Sequence, residues 1–213
     1  MNSNALREIV LYDFDGTITR RDTVIPFILR CGRLSRLVSL SIHAILKSPK
    51  HIVGRDRDFV KESVIAASLA DLSIDEIDRV VVRHVQSIMK RGVRSAVLET
   101  IRSHVQQGHE VVIVSASFGV YLDLVAKEVG AAHVIATELE VEGKYLTGRL
   151  ATKNCRSVEK VARVEAWLAT QDETVVVAAY GNSTDDLYLL RYAQTGYLVS
   201  RRGIVPVHTQ ADI

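Results

Sequence analysis

Ile9-Val10-Leu11-Tyr12-Asp13-Phe14-Asp15-Gly16-Thr17 places four apolar residues directly before two carboxylates set two apart. The apolar run reads as a buried strand, and the acids fall where that strand ends. In an open parallel sheet, ligands bind beyond the carboxyl ends of the strands, so both acids project to where chemistry would occur. A lone Asp in a solvated turn after a strand is common. A pair at this position is not explained by packing, because a buried carboxylate is costly unless it is paired or metal-bound.

Outward from this strand, residues 110–115, 133–137, 174–180 and 196–199 read as further strands. They alternate with helices over 94–107, 119–129, 157–170 and 184–192, Ser157 being the expected N-cap of the third. Residues 139–141 and 145–150 around Glu142-Gly143-Lys144 read as a hairpin. Repeated strand–helix units predict an α/β fold with a doubly wound parallel sheet. Residues 20–92 differ, with helices expected over 24–31, 34–47, 56–70 and 74–90. The last opens with a capping-box pattern, Ser73-Ile-Asp-Glu76. The expected organisation is a core of residues 1–19 and 93–213, with an all-helical cap of residues 20–92 inserted after the first core strand.

Composition permits this reading. The 213 residues are 47% hydrophobic and 24% charged, enough for a substantial core and unlike a disordered chain. Cys31 and Cys155 have no metal-ligand spacing, and residues 1–8 hold no signal-peptide apolar stretch, so a cytoplasmic location is expected. No run of 18 apolar residues predicts a membrane span. Residues 20–95 carry 15 Lys and Arg against 8 Asp and Glu, a net of +7, whereas the remainder carries 12 against 17, a net of −5. The basic segment fits either an anionic substrate or surface, or simply solvated helices. With 6% aromatic residues there is no stacking platform for nucleic acid, which is not expected as a partner.

Three further signals stand at element ends. Ser115, Ala116 and Ser117 close the run 110–115, where a hydroxyl and successive N–H groups can cradle phosphate, although Ser is also an ordinary turn residue. Lys160 lies in the first turn of a helix, where a cation is locally unfavourable and another duty is plausible; Lys153 competes for that duty. Tyr180-Gly181-Asn182-Ser183-Thr184-Asp185-Asp186 follows the run 175–179 and offers amide and carboxylate oxygens, a donor set suited to Mg²⁺.

Together these motifs resemble the haloacid dehalogenase superfamily, in its phosphoserine-phosphatase-like branch with a helical cap. The resemblance covers almost the whole chain: Asp13-Phe-Asp15-Gly-Thr17, Ser115, Lys160, then Gly181, Asn182 and Asp186, with the 137–150 hairpin before the lysine. It implies a phosphatase in which Asp13 is the nucleophile and Asp15 the general acid and base. Ser115, Ala116, Gly16 and Lys160 would hold the phosphate. Mg²⁺ would be bound by Asp13, Asp15 through its carbonyl, Asn182 and Asp186, the last also orienting Lys160 or a metal-bound water.

Two positions depart from the branch pattern. Asn182 stands where Asp is common, removing one negative charge from the metal site. Gly16 and Asp22 stand where phosphoserine phosphatases carry Ser and Glu. Asp22 could meet a substrate amine or cap the next helix, and Arg55 and Arg57 could bind a substrate anion or remain solvated. The apolar helix over 34–47, flanked by Arg33, Arg36, Lys47 and Lys50, fits a packed cap helix or an anionic membrane surface. The expected substrate is therefore a small-molecule phosphomonoester or a phospholipid phosphate. A phosphomutase and a non-catalytic phosphate binder remain as alternatives, and Asp15 argues against a true dehalogenase.

Overall fold

A computed structural model describes residues 6–47 and 64–207. Its sheet has the order β3-β2-β1-β6-β7-β8. These strands are β1 (Arg7–Tyr12), β2 (Glu110–Phe118), β3 (His133–Thr137), β6 (Thr174–Gly181), β7 (Thr195–Ser200) and β8 (Gly203–Val207). All neighbours pair in parallel except β7 with β8. β8 was not expected from the sequence. Pro206 and Gly203 obscure its strand pattern, but an edge strand tolerates a residue without an N–H.

Strand alternation divides the apolar side chains between two faces. Val10, Tyr12, Val111, Ile113, Ala178 and Tyr180 belong to one buried cluster, and Ile9, Leu11, Val112, Val114, Val176 and Ala179 to the other. The second face is covered by α6 (Val158–Leu168) and α7 (Leu187–Tyr192), through Val164, Leu189 and Leu190. The first is covered by α4 (Ser95–Gln106) and α5 (Gly119–Val129), through Val97, Ile101, Tyr121, Leu122 and Val125. Tyr12, Tyr180 and Tyr197 stack across β1, β6 and β7, with ring centroids 4.3 and 4.7 Å apart, stiffening the edge from which the catalytic candidates emerge.

Between β1 and α4 the described chain is helical: α1 (Val24–Arg30), α2 (Leu34–Lys47), residues 64–68, and α3 (Ile74–Ser87). The Ser73 side chain accepts from Glu76 N, and Glu76 returns the bond to Ser73 N, so α3 opens with the expected capping box. Phe27, Ile28, Ile77, Val80 and Val81 of this segment join the same buried cluster as Val10 and Ile113. The helical segment therefore shares a core with one sheet face. The hairpin β4 (Leu139–Glu142) and β5 (Tyr145–Leu150) ties into it through Leu146 N to Leu72 O and Asp71 N to Leu146 O, each 2.9 Å. Much of the expected helix 56–70, with Arg55 and Arg57, lies outside the described residues. No helix among the described residues is long and apolar enough to cross a membrane.

Candidate active site

The carboxyl ends of β1, β2 and β6 meet at a cavity of about 330 Å³, lined by Asp13, Asp15, Ser115, Lys160 and Asn182 among others. β1 is the switch point of the sheet, with β2 on one side and β6 on the other. Asp13 follows β1 directly and is held by its own N–H bonding to Tyr180 O at 2.9 Å.

Beyond Asp13 the chain makes one wide turn, Phe14–Ile18, closed by Thr19 N donating to Phe14 O at 2.9 Å. Gly16 has φ +85°, and a Cβ there would lie 2.4 Å from Asn182 Nδ2, so only glycine fits. Arg94, unremarked in the sequence, braces this turn by donating from Nε to the carbonyls of Gly16 and Thr19 at 3.2 and 3.3 Å.

Asp13 is 6% exposed, and its two oxygens have different company. Oδ1 accepts from Lys160 Nζ at 2.6 Å, and Oδ2 accepts from Thr17 Oγ1 at 2.7 Å. Lys160 is 3% exposed and also donates to Asp186 Oδ1 at 2.7 Å. Burial alone would lower its pKa, but the two carboxylates together outweigh that cost and hold it above the ordinary lysine value, hence charged. The competing candidate, Lys153, is exposed.

Asp186 differs from the metal ligand expected of it. Its Oδ1 serves Lys160, and its Oδ2 accepts from Asn182 N, Ser183 N and Ser183 Oγ at 2.8–3.0 Å. Burial pushes its pKa up, yet these donors, led by Lys160, draw it below the usual value. With both oxygens engaged, Asp186 positions Lys160 and the Asn182 loop. Gly181 allows this, since a Cβ there would sit 2.4 Å from Asp186 Cβ.

Asp15 Oδ2 accepts from Ser117 Oγ at 2.5 Å. Burial pushes its pKa up to about 7, against the pull of that hydroxyl, so near neutrality it carries a proton part of the time. Ser117 reaches Asp15 because the β2–β3 register slips between Ser115 and Phe118, lifting Ala116 and Ser117 out of the ladder. The same slip turns Ser115, 2% exposed, toward the cavity, its Oγ accepting from Ser117 N at 3.0 Å. The sequence marked the Ser-Ala-Ser run, but not the Ser117–Asp15 bond.

Other expectations fare variously. Asp22 lines the cavity, but its Oδ1 accepts from Ile25 N at 3.1 Å, capping α1. Ser157 makes no side-chain cap; it has φ +52°, and the amides of Glu159 and Lys160 bond to the carbonyls of Arg156 and Ser157 instead. At the rim, Arg156 and Asp185 pair at 2.8 Å.

Whether the site suits a cation is answered by its oxygens. The inward atom of the Asn182 carboxamide lies 3.1 Å from Asp13 Oδ2 and 3.0 Å from the Asp15 carbonyl; as nitrogen it donates to both, and with the amide turned over it presents an oxygen at the same spacing. Adjacent ligands of an octahedral Mg²⁺, at about 2.1 Å from the ion, stand about 3.0 Å apart. With its amide oxygen inward, Asn182 would stand at this spacing from both Asp13 Oδ2 and the Asp15 carbonyl. A mixed set of carboxylate, carbonyl and amide oxygens is of the kind that Mg²⁺ takes.

The α/β sheet thus presents a buried acid–lysine pair and a second acid at its switch point. Residues 10–191 match the haloacid dehalogenase-like hydrolase family, and the chain belongs to it. Protein CicA of Caulobacter vibrioides is 27% identical over 91% of this chain and 86% of its own length. A phosphoserine phosphatase of Archaeoglobus fulgidus is 23% identical over 95% of this chain and 55% of its own. Among solved structures, a Bordetella pertussis Tohama I protein superposes with a TM-score of 0.75 at 20% identity, covering 90% of this chain and 89% of that one. A phospho-aspartyl intermediate analogue of phosphoserine phosphatase gives 0.58 at 18% identity over 90% and 85%. The similarity thus runs to the phosphoserine-phosphatase-like branch.

Proposed function

We propose that this chain is a Mg²⁺-dependent phosphatase that hydrolyses a phosphomonoester through an aspartyl-phosphate on Asp13. The observation that carries the reading is the division of labour at Asp13: one oxygen accepts from the buried Lys160 ammonium, while the other faces the Thr17 hydroxyl and the Asn182 carboxamide. Mg²⁺, held by Asp13 Oδ2, the Asp15 carbonyl and Asn182 Oδ1, would neutralise charge on the phosphate and the nucleophile.

Asp13 attacks phosphorus while Asp15 gives its proton to the departing alkoxide oxygen. Asp15, now ionised, then takes a proton from water as that water attacks the phosphorus, releasing phosphate and restoring Asp13. The Ser115 hydroxyl and the Ala116 N–H bind non-bridging oxygens, with Lys160 supplying the matching charge. The surroundings favour each role: Asp13 and Asp186 hold Lys160 charged against the cost of burial, and burial raises Asp15 into the range of a general acid.

The substrate is a small-molecule or lipid-headgroup phosphomonoester. Phosphoserine is not favoured by Asp22, whose carboxylate already caps α1. Two free cysteines accord with a cytoplasmic location. The test is a panel of phosphomonoesters, including phosphoserine and lysophospholipid phosphates, assayed with Mg²⁺ and with Asp13→Asn as control. Mg²⁺-dependent phosphate release abolished by Asp13→Asn supports the reading. Transfer of the phosphoryl group to a second sugar phosphate would favour a mutase, and tight phosphate binding without release a non-catalytic binder.

A further inference from the structure

The amide of Asn182 faces a contradiction that a carboxylate could not resolve. Its inward atom lies 2.9 Å from Thr17 Oγ1, 3.1 Å from Asp13 Oδ2 and 3.0 Å from the Asp15 carbonyl. If that atom is oxygen, it faces two acceptors directly. The Thr17 hydroxyl does not relieve this, because its single proton is also claimed by Asp13 Oδ2 at 2.7 Å. The outward nitrogen meanwhile faces only donors. If the amide is turned over, the nitrogen points inward, and its two protons serve Asp13 Oδ2, the Asp15 carbonyl and Thr17 Oγ1. Thr17 then accepts from Asn182 while donating to Asp13, and the outward oxygen meets the donors.

We propose that Asn182 closes the cation site of the metal-free protein with its own N–H₂ group, and opens it by a half-turn of the carboxamide when the ion binds. The inference rests on the reading of Asp13, Asp15 and Asn182 as the Mg²⁺ site. The motion needs one terminal torsion, which is broad and roughly two-fold for Asn, and no backbone change. In the closed state the amide protons take the place of the cation between Asp13 Oδ2 and the Asp15 carbonyl. In the open state the amide oxygen completes the oxygen set.

The consequence is a trade. The metal-free protein keeps its buried acceptors satisfied, and cation binding must displace those hydrogen bonds, which weakens it. An Asp at 182 would reverse both effects. It adds a third buried acceptor beside Asp13 Oδ2 and the Asp15 carbonyl, unfavourable without an ion and favourable with one. Gly16 leaves the room the amide occupies, since a Cβ there would strike Asn182.

The experiment uses the full chain, wild type and Asn182→Asp, with Mg²⁺ itself as probe. Calorimetric titration and thermal melting are read with and without the ion, and the Asn182 side-chain N–H₂ resonances are followed by NMR in the wild type. Without Mg²⁺, Asn182→Asp should melt about 3–6 °C below wild type. Its Mg²⁺ affinity should be about tenfold or more higher, and its rise in melting temperature on adding Mg²⁺ correspondingly larger. The wild-type amide protons should be protected from exchange without Mg²⁺ and lose that protection with it.

Equal metal-free stability and equal Mg²⁺ affinity in the two proteins, or amide protons indifferent to Mg²⁺ that does bind, would overturn the proposal while leaving the cation site standing. No Mg²⁺ binding by either protein would instead remove the cation site, and the proposal with it. If Asn182→Asp fails to fold, the wild-type resonances alone decide.

Discussion

Lys160 Nζ lies 2.6 Å from Asp13 Oδ1, joining residues 147 apart in sequence in a contact that is almost wholly buried. Asp186 closes the arrangement from the other side at 2.7 Å. Replacing Lys160 by Met leaves two carboxylates facing one another without a cation. Removing one partner of a buried ion pair costs about 3–5 kcal/mol. Lys160→Met should therefore lower the melting temperature of the metal-free protein and reduce kcat by about a thousandfold. Calorimetry and steady-state kinetics on the same preparation check both effects. Retention of stability and rate would remove Lys160 from the site.

Gly16→Ala tests the turn between the two acids. The residue sits at φ +85°, and the new Cβ would lie 2.4 Å from Asn182 Nδ2. Strain of this kind costs about 1–3 kcal/mol, and relief requires Asn182 to move. The expected outcome is a lower melting temperature together with a larger Mg²⁺ requirement, read by melting at several Mg²⁺ concentrations. A variant that melts like wild type would show that the turn is not constrained as described.

Asp15 makes the metal-free protein pH-sensitive. Its pKa is raised by burial from 3.8 to about 7, so the folded state keeps a proton that the unfolded chain releases. Stability from this group is complete below about 3.8 and falls as pH rises toward 7. Between pH 5 and pH 8, metal-free wild type should therefore lose melting temperature more steeply than Asp15→Asn. Parallel curves would contradict the protonated Asp15.

His84 acts in the opposite direction. It is 1% exposed among Phe27 and Tyr121, and neither ring nitrogen has a hydrogen-bond partner among the described residues. Burial lowers its pKa from 6.5 to about 4, so its stabilising contribution is present above 6.5 and lost as pH falls toward 4. His84→Phe should flatten the acid side of the stability profile, measured as melting temperature from pH 7 to pH 4.5. An unchanged slope would show that His84 does not titrate on unfolding.

The strand ends were legible in the sequence because each buried strand stops abruptly at a small polar cluster. Residues 133–137 and 145–150 match β3 and β5, and Asp13, Ser115 and Asn182 each follow or close an apolar run. Three things were not legible. β8 carries a proline and pairs only at the edge, where no alternation is enforced. The engagement of both Asp186 oxygens depends on a loop folding back on itself within four residues, which spacing does not reveal. The bond from Ser117 to Asp15 depends on a register slip in β2, a tertiary event with no local signature. Sequence therefore placed the candidate residues at the strand ends, while the partners of each acid came from packing.

Covalent catalysis by Asp13 is open to a direct measurement: acid-quenching the enzyme during turnover and mapping phosphorylation by mass spectrometry. One phosphoryl group, confined to Asp13, should appear within the first turnover and be absent from Asp13→Asn. Sustained phosphate release with no phosphoryl group on Asp13 at any quench time, or undiminished turnover by Asp13→Asn, would contradict it.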